Sequence, residues 1–116
     1  LKSKEEGIKM LVLMNSTMCP QEGTYKVKRI DEKEAKKIFD VFKTHGWTSY
    51  VGYESTAKYM EKVLGEYIPV NRDTAKLEPK DVILICKLPY RVNPQDKKNS
   101  NPDEQDFEWW LMQYDV

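Results

Sequence analysis

Short polar groups follow apolar stretches at two places where an α/β protein could bind an anion. Asn15 and Ser16 come directly after a continuous apolar run, and ligands of α/β proteins tend to bind beyond the carboxyl ends of strands. Ser55 and Thr56 lie at the start of a segment with helical spacing, where free backbone N–H groups and hydroxyls could hold a phosphate. The alternatives are an ordinary turn at Asn15 and simple helix capping by Ser55.

Two arginines could complete such a site. Arg72 and Arg91 each flank an apolar segment, and a guanidinium group can donate two parallel hydrogen bonds to one phosphate. A lone arginine on a protein surface, however, is usually just solvated. The only histidine, His45, precedes Gly46 at a predicted helix end, where a positive charge is more typical of helix stabilisation than of catalysis. These residues are compatible with an anion site but do not establish one.

The sequence contains no arrangement typical of a metal or cofactor site. Cys19 and Cys86 match no metal-ligand spacing and lie in or beside apolar runs, so we expect buried free thiols in a reducing compartment. Neither a glycine loop that cradles phosphates nor a Ser-His-Asp arrangement can be assembled. We therefore expect no metal and no cofactor.

Composition limits the classes of partner. The chain has 116 residues, and its 19 lysines and arginines balance its 19 aspartates and glutamates. This balance, together with the lack of a basic stripe, gives no reason to expect duplex DNA as a partner. The chain has no apolar run near the ~20 residues of a membrane span and no visible signal peptide. We expect one domain that buries an ordinary core without disulfides.

The segments that would position the polar residues predict an α/β domain. Continuous apolar runs at 10–14 and 82–88 suit strands that are covered on both faces. The alternation at 24–30 suits a strand with one exposed face, and 47–51 and 107–112 are predicted to be shorter strands. The sum is a mixed sheet of about five strands.

Two helices are predicted between these strands. Asp31 and Glu34 have the spacing of a capping box, and the apolar residues after them predict a helix that ends near 45–46. The second helix begins at about Glu54 and is stopped by Gly65.

Two polar segments fall outside this pattern. Residues 89–106 have no periodicity, and a stretch of that length in a compact domain is usually functional or disordered. Residues 1–9 precede the first methionine and are predicted to be a leader or an upstream extension. Residues 10–116 then form the single domain.

Four short motifs occur in the order that is typical of one protein family. The chain reads L-M-N-S at 13–16, G-Y-E-S-T-A at 52–57, L-G-E-Y-I-P-V-N-R at 64–72 and Y-R-V-N-P at 90–94. The family forms are L-N-S, G-H-E-S-T-A, L-G-x-x-(I/V)-P-V-N-R and Q-R-L-P-E-G-K. Order and approximate spacing match from residue 10 to the end of the chain, and the block 52–72 is the specific part. On these motifs the chain resembles the viral ring nucleases that act as type III anti-CRISPR proteins.

The resemblance implies a fold, a ligand and a reaction. Members are homodimers with a mixed sheet that bind cyclic tetra-adenylate in a pocket across the dimer interface. The loop after the fourth strand, which here falls within 89–106, closes over the ligand as a lid. Members open the ring by attack of a ribose 2′-hydroxyl on the adjacent phosphate, with no metal. A histidine protonates the leaving oxygen, and a lid glutamate assists.

Two departures from the family motifs affect the expected activity. Tyr53 occupies the position of the catalytic histidine, and Pro94 occupies that of the lid glutamate. A histidine can donate a proton near neutral pH, whereas the usual pKa of a tyrosine is about 10. Because general acid catalysis is typically worth ~10²–10⁴ in rate, we expect little turnover. The positions that correspond to the family's binding motifs keep polar side chains: Asn15, Ser16, Ser55, Thr56, Arg72 and Arg91.

Retained binding residues and a lost acid favour sequestration. We expect a viral or phage homodimer in the cytoplasm of the infected host cell. It would capture cyclic tetra-adenylate or a related cyclic nucleotide and so blunt host immunity. Tyr53 could stack on a base, a contact worth roughly 1–3 kcal/mol, or could only fill the space of the missing histidine.

Two alternatives remain open. A surviving nuclease would need Tyr53, His45 or a polar lid residue at 95–96 in place of the missing acid. A protein–protein interaction module would keep the fold without a nucleotide. Its interface would use the tryptophans at 109–110 and the aromatic stretch 47–53, although these are also typical of core and dimer contacts.

Overall fold

A computed structural model describes residues 10–17, 21–78, 80–89 and 104–115. The strands are β1 (Leu11–Met14), β2 (Thr24–Ile30), β3 (Trp47–Tyr50), β4 (Val82–Lys87) and β5 (Glu108–Asp115). The helices are α1 (Glu32–Phe42) and α2 (Glu54–Leu64). The strands form one five-stranded sheet in the order β2-β5-β4-β1-β3.

The sheet is mixed, as predicted. β1 pairs in parallel with both β3 and β4, with Leu11 opposite Trp47 on one side and Val82 on the other. β5 pairs antiparallel with β4 and β2. Because β1 and β3 run in the same direction, both end at the same edge of the sheet, where the segments that follow them meet.

Both helices cover one face of the sheet. Phe39 of α1 and Met60 of α2 are fully buried against the β1 side chains of Leu11 and Leu13. The ring of Phe39 meets that of Trp47 edge-on at 5.4 Å between centroids. Full burial of a large apolar side chain stabilises a fold by about 1.5–3 kcal/mol, so this layer holds the helices on the sheet.

The opposite face of the sheet is covered by the segment that precedes β4. Ala75 and Leu77 pack on Val12 and Met14 of β1. Leu77 is held in place by the side chain of Gln21, which donates to its carbonyl at 2.9 Å and accepts from its N–H. β1 is therefore buried on both faces, as its continuous apolar run predicts.

Two elements end more than one residue away from their predicted ends. The side chain of Asp31 caps α1 by accepting from the N–H of Glu34 at 2.8 Å, as expected. The helix ends at Phe42 rather than near 45–46, because the Phe42 carbonyl accepts the N–H groups of both His45 and Gly46 in a turn. β5 continues three residues beyond the predicted end at 112, since its last residues still pair with β2.

β2 is more exposed than its alternation predicts. It is an edge strand, and Ile30 is its only buried residue. Val27, on the opposite face, is 44% exposed. The charged residues of β2, Lys26, Lys28 and Arg29, are typical of edge strands because they discourage pairing with another sheet.

Three sequence predictions lie outside the described residues. They concern the leader at 1–9, the state of Cys19, and most of the lid segment, which includes Arg91 and Pro94. The last residues of that segment, Glu104–Asp106, are described and form a short 3₁₀ helix.

Cys86 is expected to be chemically inert in the folded protein. It lies in β4 with 0% of its surface exposed and forms no disulfide. Burial raises the pKa of its thiol well above the usual range, so the reactive thiolate is scarce near neutral pH.

In a Cys19→Ser variant, iodoacetamide at pH 8 should leave Cys86 unmodified until urea unfolds the chain. Rapid stoichiometric labelling without urea would contradict this burial.

Candidate anion-binding site

A pocket of about 240 Å³ lies at the carboxyl ends of β1 and β3. Its lining comes from residues 14–16 at the end of β1, Tyr50 at the end of β3, residues 52–53 before α2, and residues 72–75. Three separate parts of the chain meet here because the two parallel strands end side by side. This is the position at which α/β sheets commonly bind ligands.

Asn15 ties the two strand ends together. Its Oδ1 accepts a hydrogen bond from the N–H of Gly52 at 3.1 Å. A Cβ atom added at Gly52 would lie 3.7 Å from Cγ of Arg72 and 3.8 Å from Oδ1 of Asn15. Gly52 therefore sits between the asparagine and the arginine. The amide nitrogen of Asn15 makes no hydrogen bond within the described residues, so it can donate to a ligand.

Tyr53 and Arg72 pair at the pocket. The guanidinium carbon of Arg72 lies 5.6 Å from the centroid of the Tyr53 ring, which is within the range of a cation–π interaction. Tyr53 has extended backbone geometry as the N-cap residue of α2, and this carries its side chain out of the helix. Arg72 is exposed, so its charge stays accessible to an anion.

The start of α2 is not capped by a side chain. Ser55 lies within the first turn rather than at the N-cap, and the N-cap residue Tyr53 makes no side-chain capping bond. The alternative of simple capping by Ser55 is therefore wrong. Among the described residues, no side chain is seen to accept a hydrogen bond from the first-turn N–H groups, and the positive end of the helix dipole lies beside the pocket.

The structure brings together only some of the predicted site residues. Asn15, Ser16, Tyr53 and Arg72 line one pocket. Ser55 is half-buried and Thr56 is only 3% exposed, and neither belongs to the pocket lining. Thr56 is thus buried in the first turn of α2 and does not line the pocket.

The sequence interpretation missed Ser49 and Asn71, which hold the arginine segment in place. The hydroxyl of Ser49 donates to the carbonyl of Pro69 at 2.7 Å. The backbone N–H of Asn71 donates to the carbonyl of Val51 at 2.8 Å, and its side-chain amide donates to the carbonyl of Ser49 at 3.1 Å. Two features of the sequence could have indicated this role. Ser49 is a polar residue within a short strand, and Asn71 directly precedes Arg72.

Two larger grooves lie on the helix side of the molecule, each of about 610 Å³. Lysines line one of them, but two of these are paired with carboxylates: Lys36 with Asp40 at 2.9 Å and Lys62 with Glu104 at 3.1 Å. Such pairing reduces their attraction for an external anion. The smaller pocket, whose Arg72 makes no ion pair within the described residues, is the candidate that we favour for an anion.

Tyr59, in the same grooves, has a structural role. Its hydroxyl donates to Glu32 at 2.6 Å and accepts from the indole N–H of Trp109 at 3.3 Å. Burial and the Glu32 hydrogen bond raise the pKa of Tyr59 above its usual value. The hydroxyl consequently stays protonated and bonded to the core.

His45 does not reach the pocket of its own chain. It lies in the turn between α1 and the amino end of β3, whereas the pocket is at the carboxyl end of that strand. Its exposed position just past α1 is compatible with a favourable charge near the helix end.

The described residues show neither a cluster of metal ligands nor a membrane-spanning helix. They contain no group of three or more histidines, cysteines or acidic residues that could hold a metal ion. Within the same ranges, no helix has the length and apolar character needed to cross a membrane.

Replacing Asn71 tests how the arginine segment is held. Asn71→Ala removes the bond to Ser49 and the bond that Oδ1 accepts from Asp73 N–H at 3.0 Å. Since the net worth of a hydrogen bond is about 0.5–1.5 kcal/mol, we expect a loss of roughly 1–3 kcal/mol in the free energy of unfolding, measured with urea. The control Thr74→Ala, at an exposed neighbour, should change it by less than about 0.5 kcal/mol. Equal effects of both variants would contradict this anchoring.

Known proteins are similar to this chain over most of its length. Residues 11–111 match the model of the STIV B116-like family. Protein YddF of Bacillus subtilis is 29% identical over 86 residues, which covers 74% of this chain and 78% of that protein. ORF117 of Acidianus two-tailed virus is 26% identical over 86 residues, covering 72% and 73% of the two chains.

A solved structure shows the same architecture. B116 of Sulfolobus turreted icosahedral virus superposes with a TM-score of 0.71 and covers 90% of this chain and 99% of that chain. Its sequence is only 14% identical, so this likeness speaks for the fold alone. The extended family match, the viral and bacterial relatives and the shared fold agree, and the chain belongs to the STIV B116-like family.

Proposed function

We propose that this protein binds and sequesters a cyclic nucleotide messenger of host immunity, either cyclic tetra-adenylate or a related ring. The observation that carries the proposal is the pairing of exposed Arg72 with Tyr53 at a pocket on the carboxyl ends of two parallel strands. This combination offers a cation for a phosphate and an aromatic ring for a base. Similarity to proteins of archaeal viruses supports a role in infection.

Several groups at the pocket favour a phosphate. Arg72 can donate a pair of hydrogen bonds to it, and the side-chain amide of Asn15 can donate another. The uncapped start of α2 lies next to Tyr53 and adds the partial positive charge of a helix N-terminus. These contacts suit one nucleotide unit of a larger ligand.

A second copy of the chain would complete the site. The pocket of one chain, about 240 Å³, is smaller than the ~300–1,000 Å³ of typical sites for drug-sized ligands. A two-fold homodimer would place two such pockets around one ring, because a two-fold interface presents the same surface from both subunits. A ring of four identical nucleotides can itself adopt two-fold symmetry, so its symmetry would match that of the dimer.

The composition of the pocket supports capture rather than cleavage. The described lining includes no histidine, and Tyr53 stands where the resembling ring nucleases have their acid. A phenol is a weak general acid at neutral pH. The ring of Tyr53 is also engaged with Arg72. Capture in the host cytoplasm would then remove as many rings as there are sites.

Arg72→Ala is expected to abolish tight binding. Titration calorimetry of the unmodified protein with cyclic tetra-adenylate and related rings should show one ring per two chains for the favoured ligand. Because hydrogen bonds to charged groups contribute about 1.5–3 kcal/mol each, the variant should bind at least ~10-fold more weakly.

The matched control for this variant is Arg29→Ala. Arg29 also lies over an aromatic ring, 5.5 Å from that of Trp110, but it belongs to edge strand β2 at the opposite side of the sheet. The Arg29→Ala variant should bind the ring with unchanged affinity. Absence of tight binding by the unmodified protein to every ring tested would contradict the proposal.

A cleavage assay distinguishes a protein that only sequesters the ring from an enzyme that opens it. With labelled cyclic tetra-adenylate in tenfold excess over sites, we expect all of the nucleotide to remain cyclic when the products are separated after one hour. The reason is that the pocket holds Tyr53 in place of a histidine. Linear product in amounts above the number of sites would show turnover and would favour the surviving nuclease instead.

A further inference from the structure

We infer that Asp73 is a ligand-contacting residue that accepts a hydrogen bond from a donor group beside the bound phosphate. The inference rests on the proposed function and concerns the chemical selectivity of the same pocket. It assigns a role to a residue whose charge is opposite to the one that an anion site would ordinarily favour.

Asp73 adds a negative charge to the pocket that also contains the arginine. Arg72 and Asp73 both line the pocket, and they are its only charged residues among those described. The described lining of the pocket is therefore formally neutral. The carboxylate of Asp73 is exposed and has no hydrogen bond or ion pair within the described part of the chain.

The backbone of Asp73 is held in place. Its N–H donates to Oδ1 of Asn71 at 3.0 Å, and Asn71 is bonded to the carbonyls of Ser49 and Val51 beside β3. Asp73 is thus attached to the same strand that ends at the pocket. A carboxylate in the same pocket as the phosphate-binding cation would weaken the binding of a polyanion unless the ligand also offers it a hydrogen-bond donor.

Nucleotides carry such donors. An ionised carboxylate only accepts hydrogen bonds, and the donors near a nucleotide phosphate are the ribose hydroxyl and the exocyclic amine of the base. Acidic residues that bind ribose hydroxyls are a known device in dinucleotide-binding folds. An arginine and an aspartate at adjacent positions can therefore recognise a phosphate together with a neighbouring donor of the same ribonucleotide.

The direction in which Asp73→Asn changes the affinity distinguishes recognition of a ligand donor from repulsion of the ligand's phosphates. Asp73→Asn removes the charge and weakens the acceptor, so calorimetry with cyclic tetra-adenylate should give an affinity at least ~10-fold lower, as expected for a hydrogen bond to a charged group. If the carboxylate merely repelled the phosphates, the same variant would bind more tightly. Tighter or unchanged binding would overturn the inference.

Asp40→Asn is the matched control. It makes the same change of charge on α1, where Asp40 pairs with Lys36 and Lys43 at the surface. Exposed ion pairs of this kind contribute little to stability. The carboxyl end of α1 leads to the amino end of β3, whereas the pocket lies at the carboxyl end of that strand. We expect the affinity of the Asp40→Asn variant for cyclic tetra-adenylate to stay within about twofold of that of the unmodified protein.

Two analogues identify the donor. Cyclic tetra-deoxyadenylate lacks the ribose hydroxyls, and cyclic tetra-inosinate lacks the exocyclic amines. If the loss caused by Asp73→Asn disappears with either analogue, the group missing from that analogue is the donor, and the inference stands. A loss that persists with both would overturn it. Failure of the unmodified protein to bind any ring would instead refute the proposed function itself, and with it this inference.

Discussion

The parallel pairing of β1 with β3 is the constraint on which the site depends. β1 is buried on both faces, by the helices on one side and by Ala75 and Leu77 on the other, so its register with β3 is firmly fixed. Parallel strands end at the same edge, and this brings Asn15 within hydrogen-bonding distance of Gly52. The pocket is a consequence of two strand ends that cannot move apart without disrupting both layers of the core.

The remainder of the site is attached to this edge by hydrogen bonds rather than by apolar burial. The segment with Arg72 has little buried surface of its own until Ala75, and Ser49 and Asn71 bind it to the end of β3. Individual hydrogen bonds of this kind have modest net worth, so the segment is positioned but only weakly stabilised. That arrangement is compatible with the proposed exchange of water for a charged ligand.

The sequence was sufficient for some of these features and not for others. The apolar runs predicted β1 and β4 because burial on both faces leaves a continuous pattern, and motif order placed Asn15, Tyr53 and Arg72 together. The edge position of β2 was not predictable, since its partner β5 lies some eighty residues away. The part played by Asn71 was missed for a similar reason. It depends on hydrogen bonds to Ser49 and Val51 at the end of β3, which local spacing does not reveal.

The central claim is that the ligand binds at the joined ends of β1 and β3. Hydrogen-exchange mass spectrometry with and without cyclic tetra-adenylate tests it most directly, because bound backbone exchanges more slowly. The account predicts slower exchange in peptides that cover 15–17, 52–56 and 71–74, with little change in the α1 segment along the lysine-lined groove. Protection confined to that groove, or no protection anywhere, would contradict it.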